Sequence, residues 1–390
     1  MAVNYDPLNF GLSAQQVATR NMVRDFAERE IKPKVEQYER ESRYPMDIVK
    51  KMAELGILGA LIPEEYGGSA MDYMSYGILN EELARACRAC VSVVSVANSL
   101  VGTGLIRYGT DEQKRKYLAP LARAEKLASA CLTEPSGGSD LASIQTTATR
   151  KNGGYVINGA KCFISHGTVA ETFLVLATVD RSLRHKGITL FIVERGFKGF
   201  SAKAMPLRVL KRTGIAELTF EDCVVPVENR LGDEGQGFKI MAASLDVGRF
   251  SVGARALGGA QACLDEALSY ARQRVQFGQE IGRFQLIQEM IAEMVANIEA
   301  SRLMVYRAGQ LLDAGYKRIS REASMAKLLA SQTLIKASEN AMQIHGGYGF
   351  SSEFRIGRLY QEARAATVGE GTTELQKVLV AEYALGYRKY

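Results

Sequence analysis

Glu370 sits between two glycines in VGEGTTELQ, at 368 to 376, just ahead of a helix that Thr372 or Thr373 could cap. A carboxylate with that backbone freedom suits a positioned general base, and equally a solvated loop. Four other segments have the residue types to meet a ligand. CLTEPSGGSD, at 131 to 140, joins Thr133, a proline turn, paired glycines and Ser139. Adjacent glycines let backbone amides approach a phosphate or carbonyl, although a plain β-turn has the same composition. CFISHG, at 162 to 167, sets Phe163 two residues before Ser165. On a strand such residues share a face, so ring and hydroxyl could meet one planar ligand, or simply pack in a core. QIHGGYGF ends a helical run at Gly346 and Gly347, as a capping turn would. ARQRVQFGQEIGRFQ places Arg274, Phe277 and Gln285 around a helix boundary.

Metal and hydrolytic chemistry are poorly supplied. Only His166, His185 and His345 exist, and local hydrogen bonding is the expected role of the first and last. Of six cysteines only Cys87 and Cys90 have a CxxC spacing, in the helix-like run EELARACRAC with no second pair to complete a zinc site. No metal is expected, and the scattered thiols suit a reducing compartment.

The elements that must hold these segments fall in three stretches. Residues 1–127 read as an all-helical domain, opened by a possible capping box at Ser13 with Gln16. Residues 128–236 turn to short β-branched and aromatic runs, YVINGAKCFI, TFLVLATVD, GITLFIVERG and AELTFEDCVV, with Asn158-Gly159 as a type I′ hairpin signal. Residues 237–390 return to the helical period, whose long apolar faces usually assemble a bundle. The fold class is α+β.

Net charge is +6, from 49 Lys+Arg against 43 Asp+Glu, with no long run of one sign, so a nucleic-acid surface is not expected. No stretch approaches bilayer-spanning length, and MAVNYDPLNF resembles neither a signal nor a transit peptide. A cytoplasmic protein is expected; a mature organelle-matrix form would look the same.

The five segments in this order, within helices, β-domain and helices, resemble the acyl-CoA dehydrogenase family over essentially the whole chain. The resemblance implies an N-terminal helical domain, a central β-barrel and a C-terminal four-helix bundle. It implies FAD as cofactor, with α-proton removal by Glu370 and hydride transfer from the β-carbon to flavin N5. Cys131, Leu132, Thr133, Gly138, Ser139, Phe163, Ile164 and Ser165 would then lie along the flavin, with Thr133 and Ser165 as hydrogen-bonding groups. Phe163 and Ser165 stand where the family usually has Trp and Thr. Arg274, Phe277, Gln285, Gln343, Gly346 and Gly347 would hold the adenine and pyrophosphate from a neighbouring subunit, with Thr372 and Glu374 on the adenine side.

By the same resemblance, Ser139, Asp246 and Arg249 line the acyl-CoA site and Gly369 and Gly371 flank the base. Some members carry the base on the helix after the β-domain, where this chain has Gly248. Gly369, in place of a bulky aromatic, implies room for a short branched, cyclic or otherwise bulky acyl group. Dicarboxylyl members carry an Arg whose counterpart is Val91, which disfavours glutaryl-CoA. Expected partners are an acyl-CoA, electron-transfer flavoprotein and further copies of the chain, in a homotetramer or at least a dimer. The alternatives are an acyl-carrier-protein dehydrogenase of secondary metabolism, an acyl-CoA oxidase and, outside enzymes, a helical interaction protein.

Overall fold

The capping box at Ser13 forms: Ser13 Oγ accepts from the Gln16 N–H while the Gln16 side chain accepts from the Ser13 N–H, opening the helix Ala14–Phe26. In the computed structural model, which describes residues 11–388, helices continue through Tyr73–Cys87 and Asp111–Ala122. MAVNYDPLNF lies outside the described residues. Tyr73–Cys87 is buried almost all round, its buried Glu81 and Glu82 paired with Arg302 and Arg24, and is capped by Asp72.

Eight strands follow: β1 (Ala128–Cys131), β2 (Thr147–Lys151), β3 (Gly154–Ile164), β4 (Thr172–Thr178), β5 (Ile188–Glu194), β6 (Phe200–Ala204), β7 (Ala216–Pro226) and β8 (Arg230–Leu231). They hydrogen-bond in the order β6-β7-β3-β2-β4-β5-β8, with β1 parallel to β4. TFLVLAT in β4 is buried on both faces, and so reads as a continuous apolar run. AELTFEDCVVP in β7 alternates because one face is wet.

The hairpin signal at Asn158-Gly159 was misplaced. Those residues lie inside β3, at a register shift against β7, and the β2–β3 turn is Asn152-Gly153, both with positive φ. Gly159 is needed for another reason: a Cβ there would stand 2.7 Å from the Thr146 Cα. An Asn-Gly pair thus marks a bulge in one place and a turn in the other.

The helix Gly237–Gln273 then crosses the molecule and packs with Gln285–Asp313, Ser320–His345 and, through the latter, Thr373–Ala384. Its small residues permit close approach; a Cβ at Gly258 would overlap the Glu81 carbonyl. One apolar core serves the helices and a second lies within the sheet.

Arg212, fully buried, pairs with Glu39 from the first helical stretch and Glu362 from the last. Removing one partner strands buried charge, so Arg212→Met is expected to cost about 3–5 kcal/mol in urea unfolding of the holoprotein.

Candidate active site

Glu370 has φ +56° and is followed by Gly371 at φ +98°. A non-glycine residue in left-handed backbone is uncommon and frequently functional. The Thr372 side chain accepts from the Leu375 N–H, so the helix Thr373–Ala384 starts three residues beyond Glu370 and fixes the loop. Gln376 Nε2 donates to the Glu370 carbonyl at 3.3 Å and the Gly371 carbonyl at 3.0 Å. Lys327 Nζ donates to the Gly371 carbonyl at 2.6 Å.

The side chain so presented is 13% exposed and lines a cavity of about 460 Å³. Its Oε2 carries no hydrogen bond among the described residues. Burial raises the Glu370 carboxyl above the usual carboxylate range; Arg255, Arg249, Lys327 and Arg88, in that order, pull it back without cancelling the effect. Lys327 is itself lowered to about 8 by burial, against the pull of Glu370.

Gly248 has a further role that its sequence position did not disclose. A Cβ there would overlap Glu370 Oε2 and stand 3.0 Å from its Cδ. The carboxylate rests against the bare backbone of the long helix.

Leu132, Thr133, Gly138, Ser139, Phe163, Ile164 and Ser165 line the same cavity, as do Arg249, Gly369, Gly371 and Thr372. Cys131 does not; its side chain is in the core of the sheet. Phe163 and Ser165 come together differently from the pleat expected of them. Phe163 has φ +57° beside a register irregularity, and Ser165 lies in the turn after β3, so a broken strand brings both to the cavity. Asp246 is buried behind the cavity, 3.4 Å from Arg249 and accepting from Ser320 Oγ at 2.8 Å.

The second group lies elsewhere on the chain. Arg274 ends Gly237–Gln273 and stands 5.5 Å over the Tyr348 ring; Gln285 begins the next helix. Phe277, at the tip of a two-residue hairpin, is 94% exposed. Gln343, Gly346 and Gly347 end Ser320–His345, with the Gly346 N–H capping onto the Met342 and Gln343 carbonyls. None of these six lines the Glu370 cavity. Glu374 lines a separate recess, which Thr372 shares.

Glu134 was passed over in the sequence although it lies in the quoted TEP. It accepts from the Gln145 and Thr146 N–H groups and pairs with buried Lys161 at 2.8 Å. Burial opposes its ionisation, yet these partners hold its carboxyl below the usual range. The loop from Thr133 to Ser139 is thereby fastened to β3. A strand lysine one residue before Cys162 was the available signal.

His166 is buried, with Nδ1 2.9 Å from Tyr44 Oη and Nε2 3.4 Å from Ser92 Oγ. Burial first, and Arg255 second, lower it to about 3, so it is a neutral hydrogen-bonding residue at ordinary pH. His345 Nδ1 donates to the Ala341 carbonyl. No cluster of metal ligands and no helix apolar enough to cross a membrane occurs among the described residues. Cys87 and Cys90 are buried thiols.

Comparison with known proteins gives three family models in succession. The acyl-CoA dehydrogenase N-terminal domain matches residues 13–125, the middle domain 129–223 and the C-terminal domain 235–385. The short-chain specific acyl-CoA dehydrogenase of Clostridium acetobutylicum is 40% identical over 375 residues, 96% of this chain and 99% of its own. The caffeyl-CoA reductase-Etf complex subunit CarC of Acetobacterium woodii is 39% identical over 371 residues, 95% of this chain and 98% of its own. The structure of butyryl-CoA dehydrogenase from Megasphaera elsdenii matches with a TM-score of 0.93 at 38% identity, covering 96% of this chain and 99% of that one.

Proposed function

This chain belongs to the acyl-CoA dehydrogenase family, and from that premise we propose that it desaturates an acyl-CoA thioester between Cα and Cβ, with Glu370 as base and FAD as acceptor. The observation that carries the assignment is the Glu370 carboxylate, which lines the cavity from left-handed backbone and keeps a buried oxygen, Oε2, without a hydrogen bond among the described residues.

The residues present fit the cofactor. The Leu132–Thr133 and Phe163–Ser165 segments form one wall of the cavity and Glu370 another, with Gly137 free of any neighbour that a Cβ would meet. When bound there, FAD supplies a hydride acceptor, which no side chain provides. Thr133 and Ser165 offer hydroxyls to the flavin edge. Glu370 takes the α-proton, and by the family resemblance its own backbone N–H would donate to the thioester oxygen as negative charge develops there. Gly369 leaves the space beside the reacting carbons open, since its Cβ would meet only the Ala365 carbonyl at 3.5 Å. A short branched, cyclic or bulky acyl group suits that room.

Assembly completes the site in this reading. The group around Arg274 and Gly346 is separate from the Glu370 cavity within one chain, and Phe277 and Phe350 are 94% and 85% exposed. A neighbouring copy would bring one chain's group to the other's flavin, in a dimer at least and a tetramer by family resemblance. Electron-transfer flavoprotein is the proposed redox partner, a reading supported by the relative named as a subunit of an Etf complex.

Anaerobic mixing with a panel of acyl-CoAs should bleach the flavin; failure with every thioester would overturn the reading. The pH profile offers an independent check. The base must be deprotonated to act, so kcat/KM falls as pH drops through the raised Glu370 pKa. Its acid limb is expected above the ordinary carboxylate range, and an acid limb at or below that range would argue against Glu370.

A further inference from the structure

The lining of the Glu370 cavity is unbalanced in charge: Arg88, Arg249 and Arg255 face a single acid, Glu370. Arg249 is accounted for by Asp246. Arg88 and Arg255 are each more than nine-tenths buried, and the Nε of each lacks a hydrogen-bond partner among the described residues. Among the described residues Arg88 donates only to a backbone oxygen, that of Glu362, at 3.2 Å. Arg255 has Glu370 as its salt-bridge partner, and at 3.9 Å that contact is too long for a hydrogen bond.

Two desolvated guanidiniums with spare donors are costly unless something anionic joins them. Both protrude among apolar lining such as Ala89, Val96 and Val252. An acyl chain ending in a methyl group would leave them unpaired, whereas a carboxylate would accept from both, and arginine is the residue suited to that pairing.

We propose, on the reading of the site given above, that the substrate is a short dicarboxylyl-CoA whose free carboxylate is held by Arg88 and Arg255. The separation sets the length. Arg255 is 3.9 Å from the Glu370 carboxylate, which must itself stand close to Cα, so the second carboxylate belongs only a few bonds away, as in a four- or five-carbon diacyl group, substituted or not. The carboxylate stays on the product; only one proton and one hydride leave, as in the reaction already described.

The expectation from Val91 therefore changes. Val91 is fully buried and does not line the cavity, while Arg88, three residues earlier, does. Linear position missed it because the chain leaves the helix Tyr73–Cys87 at that point and turns before Ser92–Ser95.

The holoenzyme tests this by anaerobic flavin reduction. Succinyl-CoA and glutaryl-CoA are compared with butyryl-CoA and valeryl-CoA, in which a methyl group replaces the carboxylate. The diacyl esters are expected to react at least about 10-fold better in kcat/KM, and Arg255→Gln or Arg88→Gln to lower that ratio by about 10²-fold. Bleaching by the monoacyl esters with none by the diacyl esters would overturn the inference and leave the dehydrogenase reading standing. Equal losses on both kinds of ester in the variants would also overturn it, showing that the arginines serve Glu370 alone. No bleaching by any ester would overturn both. Should a variant fail to take up FAD, the wild-type ratio decides alone.

Discussion

Glu370→Gln is expected to bind FAD and lose thioester-dependent flavin reduction by about 10³–10⁴-fold, the range for removing a positioned base. The amide has nearly the shape of the carboxylate, so the cavity should survive. It also removes the carboxylate charge that Arg88, Arg249, Arg255 and Lys327 share, although Arg249 keeps Asp246. The variant's absorbance spectrum reports whether the flavin is held normally; stopped-flow bleaching reports the chemistry. A near-normal reduction rate would remove Glu370 from the mechanism while leaving the flavoprotein assignment intact.

Gly248→Ala is expected to lower kcat by about 10²-fold, the scale on which a displacement of about 1 Å acts on a reacting geometry. The added Cβ would occupy the place of Glu370 Oε2, and Leu100 Cδ2 at 3.1 Å closes the space on another side. The carboxylate must therefore move. Alanine favours helix over glycine, so the backbone gains and the loss falls on chemistry. Circular dichroism and thermal unfolding should be unchanged or slightly improved while single-turnover reduction slows. Unaltered turnover would mean that Glu370 does not rest against the helix in the working enzyme.

Much of this was legible in the chain. The Ser13 capping box announces its helix because two side chains satisfy each other's backbone donors within four residues. β4 and β5 are visible as apolar runs because both their faces are covered. Glu370 stood out because glycines isolate it.

Other features depend on distances that no local pattern encodes. Asn158-Gly159 looks like a turn, and only the approach of Thr146 shows why glycine stands in a strand. Phe163 and Ser165 have the spacing of a shared strand face, but the strand is broken there and the shared cavity arises from the break. Arg88 and Arg255 are separated by more than 160 residues, and no periodicity connects a guanidinium on one element with a guanidinium on the other. Glu134 meets Lys161 across the sheet domain in the same way.

The contact between Gly248 and Glu370 also bears on how such a site can evolve. The loop carboxylate and any side chain on that helix position compete for one volume. A second acid at 248 would have to displace the first, while an ancestor lacking both would be inactive by this chemistry. Moving the base between the two positions therefore demands paired substitutions, since the acid must leave one place as it enters the other.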